Sequence, residues 1–173
     1  QVLDNTRIVS SLPTIKKIIS DGGKAIIISH LGRPQNKYED CFSLKHLLPE
    51  LKNLLSVNVS FSKDCIGNDV VKKTTVIKNG EVLILENLRF HSAEKEGDLG
   101  FAEELSKLGD VYVNDAFGCA HRKHASTSVI ASFFPRNKYF GLLMSKEITN
   151  LEKILFFPKK PFTAIIGGAK ITG

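Results

Sequence analysis

The segment SHLGRP places a histidine and an arginine, His30 and Arg33, around a glycine directly after the apolar run AIIIS. The planar guanidinium of arginine binds phosphate or carboxylate through two parallel hydrogen bonds, and imidazole can add another contact. A single pair of this kind also fits an ordinary polar turn. The segment therefore indicates an anion site only if other segments repeat the arrangement.

The pairing of arginine with histidine recurs after two later apolar runs. Arg89 and His91 lie in ENLRFH, and His121, Arg122 and His124 lie in AHRKH. Arginine is scarce in this lysine-rich chain, so chance is a poor explanation for three arginines that each follow an apolar run. We expect them to bind a compact ligand that carries phosphate, carboxylate or both. The chain's arginines are Arg7, Arg33, Arg89, Arg122 and Arg136.

Strands and helices alternate in the hydrophobic pattern around these residues. Nearly continuous apolar runs are typical of strands that are covered on both faces of a parallel sheet. Alternation of strand and helix then favours an α/β fold, a doubly wound, mainly parallel and Rossmann-like sheet with helices on both faces. The strands are predicted at residues 25–29, 56–61, 81–87, 110–115 and 162–168.

Amphipathic segments fill the intervals between these strands. Pro49 lies inside the second segment, so we expect a kink or a late start there. Because ligands of open α/β sheets bind beyond the carboxyl ends of the strands, the arginines should meet at that edge. The helices are predicted near residues 8–19, 44–55, 67–80, 99–110 and 144–155.

Composition is ordinary for a globular protein, with 42% hydrophobic residues, 24% charged residues and a net charge of +6. No apolar run approaches the roughly 18 residues needed to span a bilayer, and no signal segment opens the chain, so we expect a cytoplasmic protein without a membrane partner. Basic pairs such as Lys16-Lys17 and Lys72-Lys73 are scattered, a pattern that disfavours nucleic-acid binding.

Alternative chemistries at these residues have weaker support. Cys41, Cys65 and Cys119 are odd in number and widely spaced, which predicts free thiols. His121 and His124 lack partners at metal-ligand spacing, so no metal site is expected. A nucleophilic pair of Cys119 and His121 would lack an orienting third group.

The segment IIGGAKITG places Gly168, Ala169 and Lys170 directly after the last predicted strand. Glycines let the backbone approach a phosphate, and a following lysine supplies positive charge. The segment lacks the spacing of a Walker loop. A phosphate-binding turn and a plain glycine turn both remain open.

Taken in order, the segments NTRI, SHLGRP, LENLRF, KLGDVYVNDAFG with AHRKH, and GGAK closely resemble the phosphoglycerate kinase family through essentially the whole chain. The resemblance implies a substrate-binding lobe at 1–140, an inter-lobe helix at 141–158 and the start of a nucleotide-binding lobe at 159–173. It also implies that the family's first strand is missing before Gln1. Cys119 departs from the family, which usually has threonine there.

The resemblance implies reversible phosphoryl transfer between 1,3-bisphosphoglycerate and ADP, giving 3-phosphoglycerate and ATP, with Mg²⁺ accompanying the nucleotide. It implies a monomer that closes about a hinge, with Glu147 as a hinge candidate. Arg7 and Lys170 would flank the transferring group, and Gly168, Ala169 and Lys170 would begin the nucleotide site.

The acidic substrate would lie on a group of basic side chains and the backbone near them. This segment alone is not expected to be catalytically competent. The alternative hypothesis is a free-standing anion-binding module without catalysis. The implied substrate-binding residues are Arg7, Ser29, His30, Gly32, Arg33, Arg89, His121 and Arg122.

Overall fold

The structure is a computed structural model that describes residues 4–163 and 165. The elements are α1 (Thr6–Ser20), β1 (Ala25–Ile27), α2 (Leu48–Leu55), β2 (Val59–Phe61), α3 (Asn68–Val76), β3 (Val82–Ile84), α4 (Ser92–Glu96), α5 (Leu99–Ser106), β4 (Tyr112–Asn114), β5 (Lys138–Phe140) and α6 (Leu142–Phe156). Within this part of the chain, helices and short strands alternate from α1 to β3 as the hydrophobic pattern predicts, whereas α4, which was not predicted, directly precedes α5, and β4 directly precedes β5.

The central strand, β3, pairs in parallel with β1 on one side and with β2 on the other. Val82 is the register partner of both Ala25 and Val59. Successive side chains of a strand point to opposite faces, so β3 contributes to two cores. Val82 and Ile84 pack with residues of α1 and α2, whereas Leu83 packs with residues of α3 and α5.

Helices thus cover both faces of a parallel sheet, and the predicted α/β fold class is confirmed. Different helices contribute to the two cores. Leu12, Ile15, Leu51 and Leu55 belong to the core on the α1 and α2 face. Val70, Phe101, Ala102 and Leu105 belong to the core on the α3 and α5 face.

The strand β5 was not predicted, and it pairs in parallel with β4 as a second, two-stranded sheet. Its residues, Lys138–Phe140, are all exposed, so they leave no apolar run in the sequence. The strand predicted at 162–168 lies mostly outside the described residues. Phe162, Thr163 and Ile165, which the structure does describe, are not in a strand.

Pro49 has the predicted effect on its helix. The chain first forms a short 3-10 helix, Leu44–Leu47, and α2 begins only at Leu48. Pro49 thereby falls in the first turn, where its missing N–H costs no helical hydrogen bond. The late start of this helix is therefore confirmed.

The start of α6 is held by a polar network that also joins α1 and the end of β4. The Thr14 hydroxyl donates to Asp115 Oδ2 at 2.6 Å and accepts from the Leu142 amide at 2.9 Å. The Met144 amide donates to Asp115 Oδ1 at 2.9 Å. These bonds satisfy amides in the first turn of α6, which have no partner within the helix.

Gly141 lets the helix start approach this carboxylate. A Cβ added at Gly141 would lie 2.3 Å from the carboxyl carbon of Asp115, closer than atoms in contact can come. The position therefore excludes any larger side chain unless Asp115 moves. Glycine is required at position 141 because a side chain there would not fit beside Asp115.

The far half of α6 exposes a group of apolar side chains. None of the helices in the described part of the chain is long and apolar enough to cross a membrane. An exposed apolar surface on a helix is typical of a contact with another protein surface. The exposed residues are Leu151, Ile154, Leu155, Phe156 and Phe157.

Thr14→Val should lower the free energy of unfolding by about 1–3 kcal/mol, because Asp115 Oδ2 and the Leu142 amide lose their hydrogen bonds to the Thr14 hydroxyl. Denaturant titration measures the change. Thr75→Val is the matched control, since Thr75 is exposed on α3 and should change stability by less than about 0.5 kcal/mol. Equal effects of the two substitutions would contradict this role of Thr14.

Candidate functional site

The carboxyl ends of three strands carry the predicted site residues. Ser29 and His30 follow β1, Arg89 follows β3, and His121 and Arg122 follow β4. The segments that follow these three strands, two of one sheet and one of the other, are therefore all basic. We use the name basic patch for the side chains of Arg7, His30, Arg33, Arg89, His121, Arg122 and His124.

Arg89 is the buried member of the basic patch, with 8% of its surface exposed. Its Nη1 donates to the carbonyl of Gly32 at 2.8 Å, while its Nε is buried without a partner among the described residues. Burial lowers the pKa of Arg89, and the neighbouring charges of Arg122 and Arg33 lower it further. A buried cationic N–H without an acceptor is rare and points to a ligand that supplies one.

The pKa of His30 is lowered by its burial and by the charges of neighbouring cations. Burial lowers its pKa from 6.5 to about 4, and the charges of Arg89, His124, Arg122 and Arg7 add to the effect. His30 is therefore neutral at pH 7. Because the unfolded chain would bind this proton near pH 6.5, folding stability should fall as the pH is lowered from there towards 4.

The segment that carries His30 and Arg33 is held by residues at the end of β3. The Asn87 side-chain amide donates to the carbonyls of Leu31 and Phe42 at 2.8 and 2.9 Å. The buried Glu86 carboxylate accepts from the Ser43 hydroxyl at 2.7 Å. Sequence reasoning did not single out Glu86 and Asn87; a charged residue at the end of an otherwise apolar run was the available signal.

Gly32 permits the tight turn between His30 and Arg33. Its φ of +64° lies in the left-handed region, and a Cβ there would lie 2.3 Å from the ring of Phe42. Its carbonyl also accepts the Arg89 hydrogen bond. The predicted involvement of Gly32 in binding stays a prediction, but its place beside Arg89 has a clear structural cause.

The remaining cations lie at the surface around His30 and Arg89. Arg7 is in the first turn of α1, and Arg122 Nε is 3.4 Å from Nε2 of His121. His124, from the same segment AHRKH, is half-buried, and its charge contributes to the lowered pKa of His30. The exposed members are Arg7, Arg33, His121 and Arg122.

His91 bonds to a carboxylate, and we do not count it in the basic patch. His91 Nε2 is 2.8 Å from Asp64 Oδ1, and both lie beside the buried thiol of Cys65. The three could ligate a metal by distance, but burial raises the pKa of Cys65 and the other two bind each other. The candidate residues Gly168 to Lys170 lie outside the described residues.

Arg122→Ala should raise the pKa of His30 above its value of about 4, because it removes one of the charges that disfavour the imidazolium. Titration of the imidazole resonances by NMR measures both values. Arg136→Ala, in the turn before β5, is the control and should leave the pKa unchanged. An equal His30 pKa in the unsubstituted chain and in Arg122→Ala would contradict the proximity of these two residues.

Comparison with known proteins identifies the family of this chain. A profile of the phosphoglycerate kinase family matches residues 1–173. A phosphoglycerate kinase of Chlorobium chlorochromatii (strain CaD3) is 48% identical over 172 residues, which are 99% of this chain and 43% of the relative. One of Leptospira biflexa is 51% identical over 169 residues, which are 98% of this chain and 42% of the relative.

Solved structures give the same result. A phosphoglycerate kinase from Coxiella burnetii matches with a TM-score of 0.81 at 34% identity, covering 93% of this chain and 39% of that one. One from Pyrococcus horikoshii OT3 matches with a TM-score of 0.83 at 34% identity, covering 93% and 40%. The chain spans less than half the length of these relatives, and over that span sequence and fold agree: it belongs to the phosphoglycerate kinase family.

Proposed function

We propose that the basic patch binds 3-phosphoglycerate and 1,3-bisphosphoglycerate. The observation that carries the proposal is the buried Arg89 guanidinium, whose Nε has no partner among the described residues. An anionic oxygen would satisfy this N–H and offset the repulsion from the surrounding cations. Membership of the phosphoglycerate kinase family supports the identity of the ligand.

The chemistry of the patch suits a small dianion better than a metal ion. Its side chains are cations or neutral imidazoles, so an Mg²⁺ ion would be repelled there. In our proposal Arg33, Arg89 and Arg122 hold the distant phosphate, with His30 and His121 beside them. Backbone at Ser29 and Gly32 lies close to the same ligand, and Arg7 lies nearest the transferring phosphoryl group.

We further propose that the whole protein catalyses the glycolytic transfer of phosphate between 1,3-bisphosphoglycerate and ADP as a cytoplasmic monomer. Phosphoryl transfer needs mainly alignment of the reactants and neutralisation of charge. Arg7 and Lys170 would flank the transferring group. Gly168, Ala169 and Lys170 would begin the site for ADP or ATP, which would bring its Mg²⁺.

The exposed apolar surface of α6 supports the remainder of this proposal. The chain spans only about 43% of its relative from Chlorobium chlorochromatii. In the whole protein, residues 141–158 would be an inter-lobe helix, with 1–140 as the substrate lobe and 159–173 opening the nucleotide lobe. Closure about that helix would bring the substrates into line and exclude water, with Glu147 as a hinge candidate.

Titration of the 173-residue chain with 3-phosphoglycerate should shift the backbone amide resonances of residues 29–33, 87–91 and 119–126. Arg33→Ala and Arg122→Ala should each weaken binding by at least about tenfold, the effect of one lost charge-assisted contact. Lys52→Ala, an exposed lysine on α2, is the control and should bind as the unsubstituted chain does. No shift at these three segments would overturn the proposed function.

A further inference from the structure

The segment that carries Arg122 is attached to α4 as well as to its own strand, where the Tyr112 hydroxyl donates to the carbonyl of Ser126 at 2.8 Å. We call residues 121–126 the clamp loop. The Ala125 amide donates to the carbonyl of Glu94 at 2.9 Å. The amide and hydroxyl of Ser126 donate to the two carboxylate oxygens of Glu94 at 3.0 and 2.7 Å.

A close approach of backbones completes this attachment. Gly97, just after α4, has a φ of +69°. A Cβ added to it would lie 2.4 Å from the carbonyl oxygen of Lys123. The clamp loop therefore rests directly on the end of α4, and only glycine leaves room for it.

Glu94 is also a buried acidic side chain close to two members of the basic patch, His124 and Arg89. Its side chain is 2% exposed, and its Oε1 lies 3.6 Å from Nδ1 of His124. Burial raises the pKa of Glu94, while its hydrogen bonds to Ser126 and the charge of Arg89 oppose that rise. A carboxylate held in this place attracts cations that otherwise repel one another.

α4 begins directly after the segment that carries Arg89. A 3-10 helix, Leu88–Phe90, contains Arg89, and α4 starts at Ser92. Glu94 is thus close along the chain to Arg89 and contacts the clamp loop across the fold, 32 residues away. Glu94 therefore connects the segment that carries Arg89 with the loop that carries Arg122, without bonding to either arginine itself.

We infer that Glu94 is a positioning residue of the substrate site: by accepting both hydrogen bonds of Ser126 it holds Arg122 in place beside Arg89. The inference rests on the proposed function for the identity of the ligand. Glu94 does not touch the ligand, and it acts through the clamp loop. Its buried charge also limits the repulsion among the cations before an anion arrives.

The first test uses Glu94→Gln in the chain without ligand. A glutamine keeps the shape of the side chain but accepts at only one of the two atoms that Ser126 uses. Hydrogen exchange of the Ser126 amide should become at least about tenfold faster, as expected when a buried hydrogen bond to the carboxylate is lost. The amide of Leu83, in the central strand, should exchange as before. Unchanged exchange at Ser126 would overturn the inference even if 3-phosphoglycerate never binds.

The second test measures the dissociation constant for 3-phosphoglycerate well below the melting temperature. Glu94→Gln should weaken binding about tenfold and Ser126→Ala by a smaller factor. The double variant should bind no worse than Glu94→Gln, because the two side chains belong to one interaction.

Val70→Ala is the matched control for stability, since Val70 is buried in α3 far along the chain from the clamp loop. It should lower the melting temperature and leave binding unchanged. Glu94→Gln binding that is equal to or tighter than that of the unsubstituted chain would overturn the inference. Failure of the unsubstituted chain to bind at all would instead overturn the proposed function.

Discussion

The guanidinium of Arg89 is buried among side chains of its own sign, and the surrounding structure has to keep it there. A cation loses hydration when it is buried, and like charges nearby raise the cost. The lowered pKa values of Arg89 and His30 have these two causes. An unliganded site of this kind is costly for stability and favourable for binding an anion, because the ligand relieves both effects.

A parallel sheet and buried carboxylates offset the free-energy cost of burying these cations. Two cores, one on each face of β3, hold the strands so that their carboxyl ends meet. Glu86 binds Ser43 and the Leu44 amide, its neighbour Asn87 binds the carbonyl of Leu31 in the segment after β1, and Glu94 binds the loop that follows β4. Each carboxylate accepts several hydrogen bonds within the protein, so its burial is compensated. The loops carry the cations, and polar side chains on neighbouring elements hold the loops.

The main elements could be predicted from the sequence because burial on both faces leaves continuous apolar runs. The strand β5 could not, since Lys138–Phe140 is exposed and depends on pairing with β4. The late start of α2 followed from Pro49 because the geometry of proline is local. Predictions thus succeeded where the cause lies within a few residues of its effect.

The cations of the site were predictable because arginine is scarce in this chain and recurs after successive strands. Glu94 was not, because nothing in the segment SAEKEGD separates it from Glu96. Its burial depends on Ser126, which is distant along the chain. The half-buried position of His124 beside Glu94 is likewise a property of the folded loop and could not be predicted. The roles of the predicted site residues in binding remain predictions.

The most direct measurement is the ¹⁵N NMR resonance of Arg89 Nε–H during titration with 3-phosphoglycerate. Our account predicts that this resonance shifts strongly and that the proton becomes protected from exchange with water, because an anionic oxygen takes the place of the missing acceptor. Binding that shifts the resonances of exposed lysines and leaves Arg89 Nε–H unchanged would contradict the account.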